Sequence, residues 1–207
     1  MLKSRYVINT HKATTIPFIV ALMFHYDNFG IGPYVYLALH GTYCIMWLLK
    51  ELYFPDKAWD QPLHPVMVFV TYIILGPCGY WIAPILLIRN GTQPSPPIIA
   101  FAIFVFSIGV FFHFCGDCQK FFTLKYRKGL IQEGLFSHSR NINYLGEIFI
   151  YLAFNSICQH WLPFLTQACF IAFIFYPNMI KKERSLSRYE EFKIYKARTW
   201  LLFPKCV

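Results

Sequence analysis

Six apolar runs divide this chain, at residues 14–24, 33–54, 65–88, 97–122, 144–160 and 162–180, and all but the first approach the length of a membrane span. A helix needs about 20 apolar residues to cross a bilayer's hydrocarbon core. The charge between the runs is one-sided. If every run crosses, the N-terminal tail, segments 54–64 and 122–143 and the C-terminal tail share a side with the helix-end residues Lys50 and Lys120. That side then holds every one of the 19 Lys and Arg residues except Arg89. Omitting the first run, which is short and contains Pro17, would move Lys3, Arg5 and Lys12 to the sparse side. The positive-inside rule therefore favours six spans with both termini on the basic side.

Composition agrees with this reading. Only 14% of the residues are charged and 57% are hydrophobic, against roughly 25% charged in soluble domains. The expected fold is all-α: a polytopic membrane helical bundle of about six transmembrane helices with a C-terminal juxtamembrane helix. It forms one domain, with a basic tail at 1–13, the bundle at 14–180 and a second basic tail at 181–207. The net charge of +9 flanks apolar segments and does not pattern a soluble face. It suits anionic lipid headgroups or an anionic cofactor, and nucleic acid is not an expected partner. The N-terminus, with Lys3, Arg5, His11 and Lys12 and no acid before Asp27, reads as an orienting flank, because a targeting segment would be richer in arginine and serine.

Seven cysteines sit mostly in apolar runs, where cysteine behaves as a small hydrophobe. Cys206 precedes a single residue, so the tail lacks the form needed for prenylation. Cys115 and Cys118 have C-x-x-C spacing without a second ligand pair, so no metal is expected. Phosphate-binding glycine loops, serine-hydrolase elbows and zinc-protease histidine pairs are missing.

Polar residues inside the apolar runs point to function. Asn143, Glu147, Tyr151 and Asn155 fall four residues apart on one face of the fifth run, and Arg140 precedes them by about one turn. Ionisable groups at such depth are costly unless they face a partner, a cavity or a ligand. Arg140 and Glu147 pairing with each other is the plain structural alternative. Tyr36, His40, Tyr43, Trp47 and Lys50 form a similar stripe in the second run, and His113, Asp117 and Lys120 in the fourth. His40 and Tyr43 are candidates to orient a carbonyl or donate a proton; an internal hydrogen-bonded seam is the alternative. The tail from Lys181 to Arg198 interleaves arginines and lysines with Tyr189 and Tyr195, which suits either phosphate recognition or a helix lying on anionic lipid.

Gly134-Leu135-Phe136 and Ser139-Arg140-Asn141-Ile142-Asn143-Tyr144-Leu145-Gly146-Glu147 together resemble the C-terminal signature of the membrane steroid 5-alpha-reductase superfamily. That superfamily includes sterol reductases and isoprenylcysteine methyltransferases. Lys182-Glu183, Tyr189, Tyr195, Arg198 and Pro204 are similar to its second block. His40-Gly41-Thr42-Tyr43, Phe54-Pro55-Asp56-Lys57 and the 117–125 segment look like an uncharacterised, steroid-dehydrogenase-like branch. Ile142 replaces the motif's proline, and the Gln-Glu-Leu-Pro substrate motif is missing.

The resemblance implies a helical membrane enzyme with its cofactor near the cytoplasmic boundary, in the endoplasmic reticulum or the mitochondrial inner membrane. By motif position Arg140, Asn143, Tyr144, Glu147, Tyr189 and Arg198 would bind that cofactor. The first expectation is NADPH-dependent reduction of a lipophilic enone or sterol-like substrate. The alternatives are a non-catalytic subunit packed against other membrane proteins, and an S-adenosylmethionine-dependent methyltransferase acting on a lipid or prenylcysteine.

Overall fold

The computed structural model describes residues 2–205, without the side chains of Pro77 and Cys78; Cys206 lies outside them. Eight helices account for most of the described chain. They are α1 (Ser4–His25), α2 (Ile31–Tyr53), α3 (Pro65–Leu75), α4 (Ile82–Arg89), α5 (Pro96–Tyr126), α6 (Ile142–Cys158), α7 (Trp161–Leu186) and α8 (Phe192–Arg198). The all-α expectation holds. Three of them, α1, α5 and α7, are long and apolar enough to cross a membrane by length and composition.

Local chemistry explains where the helices start and change pitch. Pro65 and Pro96 open α3 and α5, where a proline's missing N–H has no intrahelical partner in any case. His64 and His160 each accept the backbone N–H two residues on, from Val66 and Leu162. Gly91 ends the α4 turn at φ +65°, a conformation that glycine adopts without a Cβ clash. Single π turns interrupt the long helices at Gly76–Tyr80, between α3 and α4, and within α5 and α7 at Phe111–Cys115 and Ile171–Phe175. Such turns insert one extra residue and re-aim the side chains that follow.

The first helix differs from the expectation. It begins at Ser4, well before the apolar run at 14–24, and continues through Pro17. Residues 4–13 are therefore helix and not a free basic tail. Ser4, Ile8, His11, Lys12, Thr15, Ile19 and Met23 form a buried stripe at helical spacing. It is the packing of this stripe that orders the segment.

Large polar side chains sit within a mainly apolar interior: Tyr36, Tyr43, Tyr195, Lys12 and Lys50 are among the largest fully buried side chains. Phe24, Phe69, Phe104, Trp161 and Phe173 face outward, Phe173 being 77% exposed. Polar side chains buried beneath an apolar exterior suit a hydrocarbon solvent, in which small residues and interhelical hydrogen bonds hold helices together. Gly109 on α5 and Gly146 on α6 supply the small residues. A Cβ on Gly146 would lie 2.3 Å from the His113 backbone nitrogen and 2.6 Å from the Gly109 carbonyl oxygen. The two backbones touch there.

One end of the molecule gathers four segments. Leu2–Lys3 pairs antiparallel with Pro62–Leu63, and Lys3 and Arg5 both reach Asp60. Lys120, near the end of α5, reaches Asp56 at 2.7 Å. Residues 138–141 are joined to the C-terminal segment 199–205 through bonds from Arg140 N to Trp200 O and from Lys205 N to His138 O, each 3.0 Å.

Candidate functional site

A cavity of about 480 Å³ opens at this end, lined by Lys50, Asp56, Lys57, Asp117, Lys120 and Lys125 among others. Its volume lies within the range of small-molecule and cofactor sites. Four lysines against two aspartates leave its walls net cationic. Asp56 is held below the ordinary carboxylate range: burial pushes it up, but the Lys120 ammonium and the Ala58 N–H outweigh that effect. Lys50 is committed to Glu51 at 2.9 Å and Asp117 at 3.6 Å. Lys57 and Lys125 are exposed and make no ion pair among the described residues.

From this cavity a polar seam runs into the bundle. Asp117 accepts from the Asn143 amide at 3.0 Å. One turn along α6, Glu147 accepts from the Tyr43 hydroxyl at 3.4 Å, and the Tyr151 hydroxyl donates to Tyr43 at 3.5 Å. Tyr43, which is fully buried, thus links α2 to two positions on the α6 stripe. The fourth member, Asn155, donates to the Gln167 side-chain oxygen at 2.6 Å on α7. The four stripe residues share a face, as their spacing requires, and their partners come from α2, α5 and α7.

Lys12 sits at the inner end of the seam. Its Nζ lies 4.0 Å from the Tyr80 ring centre, 4.2 Å from Tyr43 and 5.3 Å from Trp47. It is 1% exposed and has neither a hydrogen bond nor an ion pair among the described residues. Desolvated cation–π contacts contribute about 2 kcal/mol, whereas burying an ion costs several. The rings therefore offset only part of the cost. Histidines with unpartnered nitrogens lie against the same rings: His11 (both) and His40 (Nε2) beside Tyr80, and His113 (Nε2) stacked on Trp47. His113 donates through Nδ1 to the Asn143 carbonyl at 3.1 Å, and its Nε2 has no partner among the described residues. His40 shares a 3.1 Å bond with Tyr36 and stacks on Phe154 at 4.4 Å.

Arg140 is placed elsewhere. Asn141, the residue before α6, is non-helical at φ −136°, ψ 46°, and this turns Arg140 away from the stripe. Its Nε donates to Glu183 at 2.7 Å, and Nη1 donates to the Thr199 hydroxyl at 3.0 Å and the Thr199 carbonyl. The Lys182 ammonium donates to the Arg140 carbonyl at 2.6 Å and to the Asn141 side chain at 3.1 Å. Tyr195 donates to the Phe136 carbonyl at 2.7 Å, and burial pushes its hydroxyl up to about 12, so it stays protonated at neutral pH. Tyr144 packs at 5.0 Å from the Phe175 ring. Tyr189 accepts from Arg188 at 3.1 Å, and Arg198, exposed, reaches Gln132. The pairing of Arg140 is thus with Glu183, not Glu147.

The family profile described as "Protein of unknown function (DUF1295)" matches residues 57–199. The chain belongs to the DUF1295 family. No curated protein and no solved structure matches it. The DUF1295 segment runs from Lys57 at the cavity wall to Thr199, the acceptor of Arg140. It contributes Lys120, Lys125, Asp117, Asn143, Glu147, Tyr80 and Tyr151 to the cavity and seam. Lys12, Tyr43 and Lys50 come from helices that precede it.

Sequence reading overlooked Lys12, Tyr80 and Lys57 as site residues. For Lys12 a signal existed in the Ile8, Lys12, Thr15, Ile19 spacing. For Tyr80 and Lys57, which lie in a π turn and a four-residue 3-10 helix, there is no periodicity to read.

Proposed function

We propose that this chain is a six-span membrane reductase that uses NADPH to saturate an activated double bond in a lipophilic enone or sterol-like substrate. One arrangement supports the reading: a cationic cavity joined by Asp117, Asn143 and Glu147 to a buried Tyr43–Tyr151–Lys12 core. The free ammonium groups of Lys57 and Lys125 suit the phosphates of a dinucleotide, and Asn143 and Glu147 lie where its inner end would reach. Bound there, NADPH would supply a hydride to the substrate's conjugated carbon. The chain supplies the rest. Tyr43, with Glu147 accepting from its hydroxyl, would pass a proton to the reduced substrate, and the buried core would keep water from the reacting atoms. Arg140 acts through the tail it fastens and not as a phosphate ligand.

A scaffold role is the second reading, and the Arg140–Glu183–Thr199 contacts favour it, since they hold segments together without a ligand. Thermal unfolding of the full chain in detergent, with NADPH or S-adenosylmethionine added, separates the possibilities. A ligand that binds only the folded state raises the melting temperature with concentration. We expect a saturable rise with NADPH that is abolished in Lys57→Glu/Lys125→Glu. A rise with S-adenosylmethionine alone would select methyl transfer, and no rise with either would leave the scaffold.

A further inference from the structure

An ammonium group has three donors, and in Lys12 none of them meets an acceptor although the side chain is buried. Four unpartnered imidazole nitrogens, on His11, His40 and His113, share the same core. A closed protein rarely leaves so many polar atoms unsatisfied in one region; together they mark Lys12 as a donor whose acceptor is not supplied by the described residues. The rings over Lys12 also show how such a guest would come in. Tyr80, 4.0 Å from Nζ, lies 5.0 Å from the Tyr151 ring. Both rings also line a small cleft with Gly79, Asn155 and Phe170, and Lys12 is not among its lining residues. Tyr80, which touches both, is the ring that would have to turn for that cleft to reach the ammonium.

We propose that Lys12, boxed by Tyr43, Tyr80 and Trp47, binds the carbonyl oxygen of a lipophilic ketone that enters from the bilayer between Tyr80 and Tyr151. A neutral carbonyl fits better than a carboxylate. Glu147 already lies across Tyr43 from Lys12, with the carboxylate on the Tyr43 hydroxyl and the ammonium over the Tyr43 ring, so a second anion would leave the buried core with excess charge. Lys12 is then a substrate contact supplied by α1, outside the family-matched segment. The ligand class rests on the reductase reading; the site itself does not.

The test uses the full chain in lipid nanodiscs, a sterol-derived 4-en-3-one and the same hydrocarbon skeleton without the oxygen, followed by tryptophan fluorescence. A hydrogen bond to a charged donor changes affinity by about tenfold or more. Wild type should bind the enone at least tenfold more tightly than the hydrocarbon, and Lys12→Met should bind both alike while keeping its NADPH-induced stabilisation. Equal binding of the two probes by wild type, or an undiminished preference in Lys12→Met, overturns the proposal. Should Lys12→Met fail to fold, the carbon-13 resonance of a carbonyl-labelled enone on wild type decides: a downfield displacement on binding supports the contact, and none refutes it. Loss of NADPH binding with enone preference intact would sink the reductase and spare the site. The reverse result would do the opposite.

Discussion

Arg140 shows how a signature residue can owe its place to structure. Its guanidinium sits between Glu183, on α7, and Thr199, just past α8. The planar fork serves two partners from separate nitrogens in fixed directions, whereas a lysine would have to reach both from a single ammonium. Arg140→Ala would leave the Glu183 carboxylate, only 10% exposed, with Lys196 at 3.7 Å as its remaining cation. Breaking a buried pair in this way costs about 3–5 kcal/mol. We expect a fall in melting temperature with early tryptic cleavage at Lys196 and Lys205, while Arg140→Lys lies between. Unchanged melting and digestion would show that the tail is held by other means. Spacing alone could place Asn143, Glu147, Tyr151 and Asn155 on one face. It could not place Arg140, because the non-helical Asn141 breaks the register between them, and Glu183 lies 43 residues away.

Among the helices, the tightest crossing is α5 on α6. Gly109 and Gly146 remove the side chains that would separate the backbones, and His113, in the π turn of α5, uses that approach to reach the Asn143 carbonyl. The crossing therefore sets the position of Asn143 and, one turn on, of Glu147. Gly146→Ala puts a methyl against backbone that cannot move aside, and overpacking of this kind costs about 1–3 kcal/mol. The measured result should be a lower melting temperature together with weaker NADPH stabilisation; a loss of stability alone would detach the crossing from the site. The apolar runs marked these helices well, since hydrophobic length is a local property. The start of α1 was hidden because only tertiary packing holds Lys12 inside, and the π turns were hidden because they answer to neighbouring helices.

For the molecule as a whole, the tied end is the place where acid should act first. Lys120–Asp56 joins α5 to the loop before α3, and Lys3 and Arg5 fasten the N-terminus to Asp60 in the same loop. The folded Asp56 carboxyl titrates below its ordinary value near 3.8. Above that value it is ionised in both folded and unfolded chains, and the pair contributes fully. As pH falls through the depressed folded value, the carboxylate takes up a proton and the contribution disappears. Both side chains are partly exposed, so solvent screening limits the pair to about 0.2–1 kcal/mol. Glu133 is also held low, first by the Gln132 N–H and then by Arg127, so a single melting curve would mix the two. Lys120→Gln separates them. Its deficit relative to wild type should be constant from neutral pH down to about pH 5 and should shrink below about pH 4, in thermal melts at fixed ionic strength. A deficit that grew on acidification would mean that Lys120 stabilises the fold through some group other than Asp56, and the ionic tie between α5 and the α3 approach would have to be abandoned.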